Sequence, residues 1–416
     1  MIIGGRTHQR PAVFATREGR GMFTKKTIKD IDVRGKRVLV RVDFNVPLAA
    51  DAVVDDTRVR AALPTLRYLV DHDARVIVVS HLGRPNGTHD ERYSLSPVRR
   101  VLQRLIGRNV VFVDDVAGVD AHESAERMVD GEILMLENVR FEPGEQKNDP
   151  EFSKALASLA DIYVNDAFGA AHRAHASTVG VTAFLPSVAG LLLAREVETL
   201  TDMLTRPERP FVAILGGSKV SEKIGVVDHL LECVDTLIIG GGMCFTLLAA
   251  KGVPVGKSLV EPDWIEPARA MLAKAKERDV DLLLPVDFVV AETIAEDANT
   301  AIVGREEIGP TMMGLDVGPT SSELYKGAIA DARTIFWNGP MGVFEMTPFE
   351  AGTREVAMAV ARNNRAVSII GGGDSVAALK KFGLEERVTF VSTGGGAAMK
   401  LLEGAPLPGV EALQDK

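Results

Sequence analysis

The stretch FVAILGGSKVSEKIGVV, residues 211–227, decides how this chain is read. The apolar run Phe211–Leu215 is bounded by Gly216-Gly217, the pattern of a buried strand that ends in a tight backbone turn. A helix is expected directly after the glycines, with Lys219 and Lys223 four residues apart on one face near its N-terminus. Cations are disfavoured at that end of a helix dipole, so two of them there need a reason. An anion would supply it: glycines let backbone N–H groups approach a phosphate, and lysines bring countercharge. The competing reading is a solvated first helical turn. The stretch is not a GxxxxGK[ST] loop, which the chain lacks.

Outward from this unit, short β-branched runs alternate with amphipathic helical stretches, which predicts doubly wound parallel sheets of the α/β class. In the first half the runs fall at residues 37–42, 75–80, 110–113, 133–136 and 162–164, with helices over 57–72 and 96–105. The second half continues with 211–215, 236–239, 281–284, 334–337, 367–370 and 388–391. No short-period repeat is present, which argues against a solenoid. Residues 185–204, LPSVAGLLLAREVETLTDML, carry apolar residues at helical spacing after Pro186 and Gly190 and predict a connecting helix with a hinge between two halves.

The residues just past the strand ends separate those halves. In the first, strand ends lead to Asp43 and Asn45, His81 and Arg84, Glu137 and Arg140, Asn165 and Asp166. In the second they lead to Gly216-Gly217, Gly240 to Gly242, Asn338-Gly339-Pro340, Gly371 to Gly373 and Gly394 to Gly396. Ligands of open α/β sheets sit at the carboxyl ends of the strands. The first half is therefore expected to hold a small, strongly anionic ligand among arginines. The second is expected to hold a phosphate-bearing ligand against bare backbone.

Composition bounds the rest. A chain of 416 residues predicts two domains, and 46% hydrophobic with 25% charged residues is ordinary for a water-soluble globular protein. A net charge of −9 argues against broad binding of nucleic acid or anionic membrane. Cys233 and Cys244 read as reduced, buried thiols of a cytoplasmic protein. The longest uncharged apolar run, 236–250, is too short to span a bilayer. His172 and His175 lie three apart, but no further Cys or His ligand lies near them in sequence. Residues 1–21 hold four arginines against one acid without periodicity; they read as a disordered extension, or as an upstream start ahead of Met22.

Nine motifs, taken together and in order, resemble phosphoglycerate kinase. They are RVDFNVP at 41–47, DDTRVRAALPT at 55–65, SHLGRP at 80–85, LENVRF at 136–141, AHRAHAS at 171–177, ILGGSKVSEKI at 214–224, WNGPMGVFE at 337–345, GGGDS at 371–375 and STGGGA at 392–397. The resemblance implies two Rossmann-like domains with parallel sheets. It divides the chain into an extension (1–21), a 3-phosphoglycerate-binding domain (22–185), a connecting helix and hinge (186–205), a nucleotide-binding domain (206–396) and a segment returning to the first domain (397–416). It implies a monomer that transfers a phosphoryl group between 1,3-bisphosphoglycerate and ADP, giving 3-phosphoglycerate and ATP, with Mg²⁺.

By the same resemblance His81, Arg84, Arg140 and Arg173 hold the 3-phosphate, Asp43 and Asn45 orient the carbon chain, and Arg58 lies at the reacting carboxyl. Lys219 accompanies the transferring phosphoryl and Lys223 binds nucleotide phosphates. Gly217, Gly241, Gly242, Asn338, Pro340 and Ser375 line the nucleotide pocket, Glu345 meets the ribose, and Asp374 holds the metal. Gly372, Gly373 and Gly395 aim N–H groups at the phosphoryl. Four positions depart from the family pattern: Ala170 for Thr, Lys400 for Glu, and Ala405-Pro406 for a Lys-containing pair. The other readings are a nicotinamide-dependent oxidoreductase, although GGGMCF lacks the third glycine of GxGxxG, and a non-catalytic protein that keeps a kinase fold.

Overall fold

Residues 23–416 are described, in a computed structural model. The expectations for residues 1–21 lie outside the described residues. The chain divides into two compact units. The first runs through Thr199 and takes up Gly404–Lys416; the second is Leu200–Glu403.

In the first unit the β-branched runs become six parallel strands. Their spatial order is Val110–Val113, Ile133–Leu136, Arg75–Val79, Arg37–Arg41, Ile162–Asn165 and Ser187–Ala189. Val38, Val40, Val76, Val78 and Val164 are buried against Leu66, Leu69, Val98 and Leu102 of the helices Thr57–Asp71 and Ser96–Ile106. Each such aliphatic side chain contributes roughly 1.5–3 kcal/mol when fully buried. Local sequence sets the helix ends. Pro97 sits in the first turn of Ser96–Ile106, and Gly107 closes that helix at φ 73°, a left-handed conformation suited to glycine.

The second unit repeats the plan: Asp281–Leu283, Thr236–Ile239, Phe211–Leu215, Thr334–Asn338, Val367–Gly371 and Phe390–Val391, all parallel. Numbered along the chain this is the order 3-2-1-4-5-6, whose direction reverses between Phe211–Leu215 and Thr334–Asn338. Ligands of open sheets bind at such a reversal, outside the carboxyl ends of the strands. The core gathers Val212, Ile214, Ile238, Ile335, Trp337 and Ile370 beneath Tyr325, Val356, Val360 and Leu379.

Three features differ from the sequence reading. Ser187–Ala189 is a strand on the edge of the first sheet, which the pattern did not suggest, while the connecting helix follows Gly190 as expected, as Leu191–Thr205. Asp166 fixes that start: its Oδ1 accepts the N–H groups of Leu192 (2.9 Å) and Leu193 (3.3 Å). Gly190 permits the approach, because a Cβ there would lie 2.1 Å from the same oxygen. Second, Asp287–Ala291, Ala301–Gly304 and Met313–Val317 form an antiparallel sheet that the pattern did not suggest. Third, the helix after Gly216-Gly217 is Ile224–Leu230. Lys219 therefore lies in a loop and Lys223 at the N-cap, so the two share no helical face.

Candidate active site

The carboxyl ends of the first sheet collect guanidinium groups around one histidine. Arg41, at the end of the central strand, is fully buried; its Nε donates to Ser177 Oγ (2.8 Å), one terminal nitrogen to the Val42 carbonyl, and the other reaches His81 Nδ1 (3.0 Å). A guanidinium cannot accept a hydrogen bond, so Nδ1 accepts and the neutral ring carries its proton on Nε2. Burial holds the His81 pKa well below the usual histidine value, and the charges of Arg41, Arg140, Arg173 and Arg58 push it the same way. Those four cations therefore lie within electrostatic reach of one ring.

Each has a local tether. Arg58 donates to both oxygens of Asp43 (3.1 Å each) and to the Asn45 carbonyl (3.0 Å). Asn45 Oδ1 accepts from the Gly83 N–H (2.9 Å), and the Gly83 carbonyl accepts from Arg140 (2.6 Å). Arg173 Nε donates to His172 Nε2 (3.1 Å). Burial, together with Arg173 and Arg41, lowers the Arg140 pKa to about 10. Its Nε is buried with no hydrogen-bond partner among the described residues. A buried donor left unpaired costs about 1–3 kcal/mol, and a ligand oxygen would remove that cost. Arg84 follows Gly83 and is exposed.

Beneath the cluster lies a buried carboxylate that the sequence reading did not single out. Glu145 is fully buried and accepts from Ser177 N (2.9 Å) and Ser177 Oγ (2.7 Å). Burial works to raise its pKa, but His175, Arg41 and Ser177 outweigh burial and hold it below the usual carboxylate range. His175, 3.7 Å from Glu145, thus faces a carboxylate, which gives it a structural partner.

In the second unit the strand ends interlock through main chain. Gly216 N donates to the Asn338 carbonyl (3.0 Å), Gly217 N to Pro340 (3.1 Å), Gly241 N to Met341 (3.0 Å) and Met243 N to Gly217 (3.0 Å). At Gly216 and Gly241 the segments leave no room for a side chain. A Cβ on Gly216 would lie 2.0 Å from the Pro340 carbonyl oxygen, and one on Gly241 would lie 2.5 Å from Gly217 N. Gly372, at φ 87°, passes close to the Asn338 amide, and Gly242 passes close to the Ser218 carbonyl. Ser375, fully buried, accepts from Gly339 N (2.6 Å).

The two lysines have different surroundings. Lys223 donates to the Gly216 carbonyl (2.6 Å), the Asn338 carbonyl (2.8 Å) and Asn338 Oδ1 (2.6 Å), which uses all three ammonium donors. Burial lowers its pKa to about 8, against the opposing charges of Asp374 and Glu222. Its ammonium thereby pins two strand ends together at the sheet reversal. Lys219 is exposed, with no hydrogen bond or ion pair among the described residues. Asp374, in the first turn of the helix Gly373–Lys381, is also exposed, as are Gly373 and Glu345; Gly395 is half-buried.

An α/β unit that gathers arginines, and another that presents bare main chain at its sheet reversal, make a protein of two doubly wound units suited to anionic, phosphate-bearing ligands. The family model described as phosphoglycerate kinase matches residues 28–405, and the chain belongs to that family. It is 55% identical over 394 residues to a phosphoglycerate kinase of Pelotomaculum thermopropionicum, covering 95% of this chain and all of the relative. The same figures hold for the phosphoglycerate kinase of Moorella thermoacetica. The structure of phosphoglycerate kinase from Coxiella burnetii is similar with a TM-score of 0.85 and 43% identity, covering 93% of this chain and 98% of that one. The protein is thus a nucleotide-dependent kinase with a carboxyl group as acceptor, and the oxidoreductase reading falls. Among the described residues no helix is long and apolar enough to cross a membrane.

Proposed function

We propose that this chain transfers a phosphoryl group reversibly between 1,3-bisphosphoglycerate and ADP, giving 3-phosphoglycerate and ATP, with Mg²⁺. The observation that carries the assignment of the first half-site is the cluster of Arg41, Arg58, Arg140 and Arg173 around a neutral His81, with an unpaired buried donor on Arg140. Arg140 and Arg173, helped by His81 and the exposed Arg84, hold the 3-phosphate. A planar guanidinium binds phosphate oxygens in pairs and keeps its charge. Asp43 and Asn45 orient the carbon chain, and Arg58 sits at the carboxyl end. The glycine-walled loops of residues 216–217, 241–242, 339–340 and 372–375 take the nucleotide, with Glu345 at the ribose. Gly373 and Gly395 direct N–H groups toward the phosphoryl, and Lys219 accompanies it. Lys223 acts from behind, fixing the loops and adding charge.

Mg²⁺ binds few carboxylates and relies on phosphate oxygens and water. Asp374 fits that preference as a single exposed carboxylate beside the glycine loops. Among the described residues no group of three or more His, Cys, Asp or Glu side chains is placed to hold a metal by itself. Asp374 would hold the ion together with the nucleotide phosphates, and the ion would add positive charge near the transferring group.

The chemistry asks little proton transfer of the protein. A carboxylate is already ionised at pH 7, so its attack on a phosphoryl group needs no general base. Rate enhancement then rests on in-line positioning and on positive charge spread around a loose transition state. The protein works as a cytoplasmic monomer without nucleic-acid or membrane partners.

The test is a coupled assay for ADP formation from ATP and 3-phosphoglycerate, with and without Mg²⁺. Turnover that needs all three supports the assignment; none with all three present overturns it.

A further inference from the structure

The helix Gly373–Lys381 touches the loop after the strand Thr334–Asn338 at two places. At its first turn Ser375 Oγ accepts the Gly339 N–H (2.6 Å). At its last turn Lys381 Nζ donates to the Phe344 carbonyl (2.7 Å) and the Glu345 carbonyl (3.3 Å), and pairs with Glu350 Oε2 (2.7 Å). The two positions are six residues apart, about 9 Å along a helix axis. The loop between the two ties contains Pro340 and Glu345. Phe344 packs its ring into the core, so Lys381 acts on a carbonyl whose side chain is already anchored.

Glu350 completes the bracket. It is buried, flanks the N-terminus of the helix Ala351–Arg362, and pairs with Arg354 as well as Lys381. Two other contacts hold the middle of the loop: Met341 N donates to Thr353 Oγ1 (3.0 Å), and a Cβ on Gly342 would lie 2.2 Å from Asp316 Oδ1. The exposed Glu345 side chain therefore starts from a main chain held on every side except toward solvent.

We propose that Lys381 is a positioning residue for nucleotide binding: it ties the Glu345 main chain to the helix that carries Asp374, so that the ribose and metal contacts are held in one register. This rests on the roles proposed above for Glu345 and Asp374. Lys381 itself touches no substrate. Without its ammonium, two carbonyls and a buried carboxylate lose a charge-assisted donor, and Glu345 loses its fixed starting point.

The test is calorimetric titration with ADP in the absence of metal, joined to steady-state kinetics. Lys381→Met should weaken ADP binding about tenfold, the size of one lost charge-assisted hydrogen bond. It should raise KM for ATP similarly and leave KM for 3-phosphoglycerate unchanged. Lys381→Arg keeps a charged donor and should lose less ADP affinity than Lys381→Met. Glu345→Gln alone should weaken ADP binding, and adding Lys381→Met to it should cost much less than on the parent, because Lys381 acts through Glu345. If Glu345→Gln leaves ADP binding unchanged, the assignment of Glu345 fails. If it weakens binding while Lys381→Met does not, or if the two losses simply add, the positioning role fails. Should Lys381→Met not fold, Lys381→Gln reads the same split with a neutral donor.

Discussion

The two proposed half-sites would receive phosphate by opposite means. The first relies on side chains: Arg41, Arg58, Arg140 and Arg173 are drawn together by tethers to Ser177, Asp43, Gly83 and His172, and burial with mutual repulsion lowers the Arg140 pKa to about 10. The second relies on main chain: glycine segments bond to one another so closely that a Cβ on Gly216 would lie 2.0 Å from a carbonyl oxygen. A charge cluster is strained when empty and relieved when filled. A backbone cradle has no such repulsion, but it tolerates no added atoms. Substitutions should therefore fail differently on the two sides.

The largest effect is expected where neither architecture applies. Lys219 is exposed and makes no hydrogen bond or ion pair among the described residues, so Lys219→Ala should leave the thermal midpoint unchanged. It should lower kcat about a thousandfold, as loss of a transition-state charge contact does. Steady-state kinetics with a melting curve check both halves of that statement. Comparable loss of stability would show that the residue holds structure instead.

Gly216→Ala comes next and tests the cradle. Overpacking against main chain costs about 1–3 kcal/mol, so ADP binding should fall by up to about a hundredfold. Calorimetry should find 3-phosphoglycerate binding intact. Arg140→Met tests the cluster with the opposite signature. Affinity for 3-phosphoglycerate should fall about thirtyfold, from loss of a charged contact, while the ligand-free protein melts no lower than the parent, because one member of a repelling set is gone. A large drop in the ligand-free melting temperature would mean that Arg140 serves folding before binding.

The smallest effect is on acid stability. His81 is held neutral by burial and by Arg41, Arg140, Arg173 and Arg58, so its folded pKa lies below its unfolded value near 6.5. As pH falls below about 6.5 the unfolded chain takes up a proton that the folded one refuses. Stability present above that pH is then lost, by up to about 1.4 kcal/mol per pH unit. His81→Asn keeps an acceptor for Arg41 and removes the titration. Its denaturation midpoint should fall less than the parent's between pH 6.5 and 5.5; parallel decline would remove His81 as the cause.

How legible the site was depended on the kind of residue. Arg58, in the helix Thr57–Asp71, and Arg173 were marked only by the family motifs; Arg84, Arg140 and the glycines stood out because they closely follow apolar β-branched runs, and the sheet brings all carboxyl ends to one edge. Arg41 and Glu145 did not. Arg41 is the last residue of a strand in the run RVLVR, where an arginine has no distinctive spacing. Glu145 lies in a loop, and only its burial against Ser177 and His175 gives it a role. The strand Ser187–Ala189 is three residues long, too short for periodicity, and its partner Ile162–Asn165 supplies what its own sequence lacks. The helix expected at Lys219 was misplaced by a loop whose shape depends on Glu261, which accepts from Ser221 N (3.0 Å) and Oγ (2.6 Å).

The amino-acid order alone set the class of fold, the succession of strands and helices, and the contrast between an arginine-bearing and a glycine-bearing half, because these arise from hydrophobic period and backbone freedom within a few neighbouring residues. Which strands lie side by side, and what each charged group touches, came only with the folded chain. Lys223 and Asn338 are 115 positions apart, and Arg41 and Ser177 are 136 apart. Partnerships over such distances are fixed by sheet order and burial, which no local pattern encodes.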